Sequence, residues 1–270
     1  EPFEVTLTRE IITARSVRYR MLEPGYAYMR IAQFAAKTGD EVESALNRLH
    51  EENDPLKGLV LDLRNNPGGV LQSSVKVVDA FLDDGLIVYT KGRLDENEMR
   101  FNADRGDPSR GVPLVVLINS GSASASEIVA GALQDHGRGI IMGSASFGKG
   151  SVQTVLPLTN DRAIKLTTAL YFTPNGRSIQ ARGIVPDIPV ERGQVTRTPA
   201  RIGAYREADL SGHLEVEDEE GQTTAVPVIE PEVIVSDYQL NEALNVLKGL
   251  NILRPKAASA SIAQGSADGE

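Results

Sequence analysis

Two stretches, GLVLDLR (58–64) and PLVVLIN (113–119), constrain what this chain can fold into more than any other feature. Each is a nearly continuous apolar run of strand length, without the alternation of a half-exposed strand. Such runs belong in a sheet covered on both faces, which means parallel strands joined by helical crossovers. The segments after each run agree. The turn Asn65-Asn66-Pro67-Gly68-Gly69 leads into a helix expected over Gly69–Leu82, and a Ser/Ala/Gly-rich turn leads into the helix ASEIVAGALQD. Upstream, AYMRIAQF (27–34) reads as a strand, and Asp40–Glu52 as a helix with Val42, Ala45, Leu46 and Leu49 on one face. LIVYT (86–90) and EMRFN (98–102) are two further strands, and SVQTVLPL with AIKLTTALYF is a β-hairpin turning at Thr159-Asn160-Asp161. Strands alternating with helices give an α/β layered domain.

Charge and residue usage remove several functions. A formal net charge of −9 argues against a nucleic-acid groove, which needs clustered Lys and Arg. With no cysteine there is no disulfide, thiol nucleophile or thiolate metal site. The three histidines, His50, His136 and His213, show no metal-ligand spacing, and the first two sit where a cation suits a helix end. A histidine-based hydrolase is therefore poorly supplied, and no metal or cofactor is expected. No apolar run approaches the roughly 18 residues of a membrane span. The first residues, EPFEVTLTRE, lack a signal-peptide pattern and read as mid-domain.

Three segments carry chemistry. In INSGSASASEIVAGAL (118–133) a buried strand ends, Ser122, Ser124 and Ser126 follow on alternate positions, and a helix begins. Ser124-x-x-Glu127 is a capping box. The same geometry would also expose a nucleophile beside helix N-terminal amides, so both roles stand open. The pattern does not fit G-x-S-x-G. In GSASFGKGSVQ (143–153), Gly143-x4-Gly148-Lys149 matches most of a phosphate-binding loop, but Gly150 replaces the magnesium-binding Ser or Thr, and a strand comes next instead of a helix. Lys149 between glycines is better read as a side chain on a tight turn. If buried, its amine would be neutral more easily and could accept a serine proton. Gln153 lies four residues on, within reach of orienting it. In LDLRNNPGGVL (61–71), the Gly68 and Gly69 amides are bare of side-chain obstruction and could serve as oxyanion donors.

LDLRNNPGG, SGSASASEI, SFGKGSVQ and KLTTALYFTPNGRSIQARGIVPDI, in that order, resemble the core of the carboxyl-terminal processing proteases, serine-lysine peptidases of the tail-specific type. The resemblance spans about residues 1–190. It implies a ClpP/crotonase-like layered core with a β-hairpin cap region and a C-terminal helix. It implies Ser124 as nucleophile, Lys149 as general base 25 residues on, and Gln153 orienting that lysine. It also implies an oxyanion hole from Ala125 and Gly69 or Gly68. The expected activity is an endopeptidase that cleaves proteins near their C-termini through an acyl-enzyme. A non-catalytic binding or scaffold module on the same fold is the alternative, and a crotonase-like acyl-CoA enzyme a weaker one. Export to the periplasm and an adaptor lipoprotein are expected by the same resemblance.

Five regions result. Residues 1–10 resemble only the closing strand of a PDZ domain, and residues 11–190 form the protease core. Residues 191–235, with the run EVEDEE, read as an acidic linker. Residues 236–255 form a helix with Leu240, Ala243, Leu244, Leu247 and Leu250 on one stripe, capped by Ser236 or Asp237, facing either the core or a second copy in a homo-oligomer. Residues 256–270 are a small, polar tail expected to be disordered.

Overall fold

The computed structural model describes residues 3–4, 15–53, 55–93, 98–159, 162–193, 211 and 237–253. The expected PDZ closing strand, nearly all of the expected acidic linker, His213 and the C-terminal tail therefore lie outside the described residues, apart from Phe3, Glu4, residues 191–193 and Ser211.

The two apolar runs become β3 (Gly58–Asp62) and β6 (Leu114–Ile118), every residue of both buried. They are adjacent and parallel in a six-stranded sheet with β1 (Val17–Glu23), β2 (Tyr26–Ile31), β7 (Ile140–Gly143) and β10 (Ile188–Pro189), in the order β1-β2-β3-β6-β7-β10. Strand side chains alternate faces, and the two faces are covered differently. Leu59, Leu61, Leu114, Val116 and Ile118 join a core with α1 (Thr38–Glu52), α2 (Leu71–Asp79) and α3 (Ala125–Asp135). Val60, Val115, Leu117 and Met142 face the other way and meet Leu240, Ala243, Leu244 and Leu247 of α4 (Tyr238–Leu253). The leucine stripe of the C-terminal helix is thus buried on the sheet of its own chain, each leucine contributing roughly 1.5–3 kcal/mol.

A second, four-stranded antiparallel sheet runs β5-β4-β9-β8, from β4 (Gly85–Gly92), β5 (Arg100–Ala103), β8 (Ser151–Pro157) and β9 (Ala163–Phe172). β8 and β9 are the expected hairpin, with β8 at the sheet edge. Its outer half exposes Val155, Leu156, Leu158, Ile164 and Leu166. His50 and His136 serve the fold: their Nε2 atoms lie 3.1 Å from the Ser109 carbonyl oxygen and 2.7 Å from that of Leu86.

Candidate active site

The site sits at the carboxyl ends of the parallel strands, where α/β sheets place their chemistry. The turn after β6 shows why three serines alternate there. Ser122 is fully buried, and its hydroxyl donates to the Leu63 carbonyl at 2.7 Å. Ser126 is also fully buried, and its hydroxyl donates to the Asn66 carbonyl at 2.9 Å. Ser124, between them, is only half-buried and is the one that reaches the surface. Its φ of 56° and ψ of −111° are rare for a residue with a Cβ. Such backbone costs on the order of 1–3 kcal/mol and persists where surrounding contacts impose it. The serine therefore has a strained elbow-like backbone without the G-x-S-x-G pattern.

The contact that imposes it is Glu127. Its side chain is fully buried, and its carboxylate accepts four hydrogen bonds. Oε2 receives Ser124 N–H at 2.7 Å and Lys149 N–H at 2.8 Å. Oε1 receives Gly148 N–H and the Ser146 hydroxyl, both at 2.6 Å. The capping box is real, but its glutamate also joins the serine turn to the lysine loop. This explains the partial phosphate-loop pattern: the amides of Gly148 and Lys149 cradle an anion, and that anion is a carboxylate of the same chain. The glycines flanking the lysine are there for close approach. A Cβ on Gly150 would lie 2.4 Å from Gln180 N, and one on Gly148, whose φ is +90°, 3.1 Å from Gly183 N. Further bonds from Phe147 N–H to the Ser122 carbonyl (3.0 Å) and Ala181 N–H to the Gly148 carbonyl (2.9 Å) complete the loop.

The 65–69 turn stands against the same serine. Asn66 is buried, donates to the Ile31 carbonyl at 2.8 Å and accepts Gly68 N–H at 2.9 Å. Its own carbonyl accepts Ala123 N–H at 2.9 Å. A Cβ on Gly68 would come within 2.9 Å of both Ala125 N and Ser124 Cβ, so glycine keeps the space before the Ala125 amide open. Ala125 is the first residue of α3, where an N–H lacks an intrahelical partner and the helix dipole favours negative charge. Gly69, at φ +150°, bridges Phe34 through Gly68 O and Val70 N–H, and its own N–H takes no part in that bridge. Of the two glycines, Gly68 has its N–H taken by Asn66, whereas among the described residues no hydrogen bond takes that of Gly69.

Lys149 is half-buried and Gln153 is exposed on β8. Among the described residues, no hydrogen bond joins Ser124 Oγ, Lys149 Nζ and the Gln153 side chain. The Ser124 and Lys149 backbones converge on Glu127, but no proton path joins the three side chains.

A fourth element escapes sequence reasoning. Asp62 at the end of β3 is fully buried and accepts from Tyr28 Oη (2.7 Å), Arg30 (3.2 Å) and the Arg64 guanidinium (2.8 and 3.0 Å). Arg64 also reaches both carboxylate oxygens of Asp237, at 2.9 and 2.7 Å, across 173 residues of sequence. Burial disfavours the Arg64 cation, but its hydrogen bonds to Asp237 and Asp62 outweigh that and raise its pKa. Burial disfavours the Tyr28 phenolate and, with the neighbouring Asp62 charge, raises its pKa to about 12.

The family described as Peptidase family S41 matches this chain over residues 25–190, a span that holds the serine turn, the lysine loop and the glycine turn. The chain belongs to peptidase family S41. Among curated S41 relatives, a carboxy-terminal-processing protease of Bartonella bacilliformis is 46% identical over 251 residues, covering 92% of this chain and 58% of that protein. A carboxyl-terminal-processing protease of Synechocystis is 43% identical over 217 residues, covering 77% of this chain and 50% of that protein. A solved photosystem II D1 C-terminal processing protease superposes with a TM-score of 0.60 at 35% identity, over 68% of this chain and 50% of that one. A lipoprotein from Streptococcus agalactiae, at 19% identity and a TM-score of 0.55, shares the fold alone. The chain thus spans about half the length of the curated S41 relatives it matches.

Proposed function

We propose that this chain is the catalytic core of a serine endopeptidase that cleaves protein substrates near their C-termini, with Ser124 as nucleophile and Lys149 as general base. One observation carries the reading. Of three alternate serines only Ser124 reaches the surface, on strained backbone, and the carboxylate that holds its amide also holds the amide of Lys149.

The chemistry derives from that arrangement. The Lys149 amine takes the Ser124 Oγ proton as Oγ bonds to the scissile carbonyl carbon. The carbonyl oxygen becomes an oxyanion facing Ala125 N–H and Gly69 N–H, donors that cost no reorganisation because the backbone already holds them. Lys149 then passes the proton to the departing amine, leaving an ester on Ser124. Water attacks the ester with Lys149 accepting its proton, and the returning Oγ regains a proton from the lysine. Nζ must approach Oγ for the first step, which a side-chain rotation around the fixed loop supplies. Gln153, two residues into β8, orients the amine once it has moved.

An extended substrate fits the open edge of β8 by strand addition. The apolar residues of the outer hairpin and the exposed Phe147 suit an unfolded, apolar polypeptide. Export to the periplasm and delivery of substrates by an adaptor lipoprotein extend the same reading. Self-assembly through α4 has a narrower basis, because its leucines pack on its own sheet and only Ile252 and Leu253 remain strongly exposed. The capping role of Ser124 favours one second reading, a binding module without turnover.

Cleavage of an unfolded substrate protein separates the two. The wild-type chain should release C-terminal fragments, and Ser124→Ala and Lys149→Ala should each abolish release. Wild-type rates in either variant would refute the assignment of that residue.

A further inference from the structure

The Arg64 guanidinium has no role in the chemistry above, yet it is the most heavily bonded side chain near the site. Its Nε and one Nη atom grip Asp62, and both Nη atoms grip Asp237, with Gln239 Oε1 accepting a further bond at 3.0 Å. Two bidentate carboxylate pairs on one planar cation fix its orientation in a way a lysine cannot. Asp237 also caps α4, because its Oδ1 accepts Leu240 N–H at 3.1 Å and its carbonyl accepts Asn241 N–H at 3.0 Å. The N-terminus of α4 is further tied down by Gln239, which donates to the Val190 carbonyl at 2.7 Å.

On its other side, Arg64 leads directly into the oxyanion turn. Its backbone N–H donates to Asp62 Oδ1 at 2.9 Å, and its carbonyl accepts from Arg30 at 3.3 Å. Asn65 comes next at φ 56°, locked reciprocally to Asn119 by bonds of 2.9 and 3.0 Å. After it stands Asn66, which holds Gly68 and the serine turn. Asn65 sits in the left-handed region directly between the clamped arginine and the Asn119 lock, so a shift of Arg64 passes into the turn.

We infer that Asp237 and Arg64 are positioning residues for the oxyanion turn, and that the C-terminal helix is a working part of the catalytic core. Resting on the peptidase reading, the inference assigns α4 a second role beyond covering the sheet. Loosening its cap lets the 65–69 turn relax, which lowers turnover without altering the substrate-binding edge on β8.

The test is Asp237→Asn in the full chain, compared with Leu244→Ala, which weakens α4 packing but leaves the clamp intact. With a peptide substrate, Asp237→Asn should lower kcat by about 5- to 20-fold at nearly unchanged KM. That is less than the roughly 10²–10³-fold of deleting an oxyanion donor, because the donor stays and is only displaced. Leu244→Ala should lower the melting temperature yet keep kcat at a temperature where it is folded. Arg64→Lys should resemble Asp237→Asn, and Asp237→Glu should recover part of the loss. Amide hydrogen exchange over residues 65–70 reads the coupling without catalysis and should quicken in Asp237→Asn but not in Leu244→Ala. Unchanged kcat and exchange in Asp237→Asn, or equal effects of Leu244→Ala, would overturn the inference. An inactive wild type would instead sink the peptidase reading, with the exchange comparison still deciding this one.

Discussion

Two buried carboxylates flank the serine turn, and they are satisfied in opposite ways. Glu127 takes backbone N–H groups of Ser124, Gly148 and Lys149 and one hydroxyl, with no guanidinium or ammonium of the described residues among its hydrogen-bond donors. Asp62 takes two arginine side chains, a phenol and a single backbone N–H, that of Arg64. The first arrangement fixes main chain: it sets where the side chains at 124 and 149 leave the backbone, whatever those side chains are. The second fixes side chains, and through Arg64 it draws in a helix from the far end of the sequence. A carboxylate held by amides therefore defines local geometry, whereas one held by arginines joins distant elements.

The contrast can be broken most forcefully at Glu127. Glu127→Gln keeps the shape but turns one acceptor oxygen into a donor facing other donors. At least one buried N–H or O–H then loses its partner, at about 1–3 kcal/mol each. We expect a loss of about 2–4 kcal/mol in urea unfolding and about 10²-fold in kcat, since the Ser124 and Lys149 backbones shift together. A variant as active and stable as wild type would show that the hub organises nothing.

The arginine hub should respond to acid. Burial pushes the Asp237 carboxyl up, but the hydrogen bonds and charge of Arg64, the Leu240 amide and Arg192 outweigh it, so its pKa lies below the ordinary 3.8. A carboxyl depressed on folding adds stability above its unfolded pKa and loses it as pH falls through the folded value. Thermal melts should therefore show an acid-side loss beginning near pH 4, and Asp237→Asn should flatten that limb. An identical acid limb in both proteins would remove Asp237 as its source.

Tyr28 gives the smallest effect. Its hydroxyl donates one bond to Asp62, so Tyr28→Phe should cost about 1 kcal/mol and leave kcat unchanged. Because its pKa is raised to about 12, its contribution is complete below pH 10 and lost between there and about 12, an alkaline limb the phenylalanine variant should lack. A loss of kcat in this variant would show that the outer part of the arginine hub also reaches the 65–69 turn.

What could be read from the sequence depended on how far apart the cooperating residues lie. β3 and β6 were legible because apolar continuity is a local signal of two-sided burial, and the hairpin because two strand-like runs enclose a polar turn. β1 and β7 were not: VRYRMLE is an edge strand with mixed exposure, and IIMG is too short to show a period. Glu127 was visible as a cap, since capping is an i to i+3 relation, but its bonds to Gly148 and Lys149 cross more than twenty residues. Gly150 gave a usable signal, a glycine beside a lysine where a backbone must come close, although its neighbour at Gln180 is fixed only by folding. Arg64 and Asp237 lie in segments with no shared pattern, so nothing local announces their pairing.

The central claim is the dyad itself, and covalent labelling tests it most directly. The wild-type chain, treated with a serine-reactive peptidyl phosphonate and mapped by peptide mass spectrometry, should carry one adduct, on Ser124. Lys149→Ala should remain folded and unlabelled under the same conditions. An adduct on Ser122 or Ser126, or undiminished labelling of Ser124 in Lys149→Ala, would contradict the account.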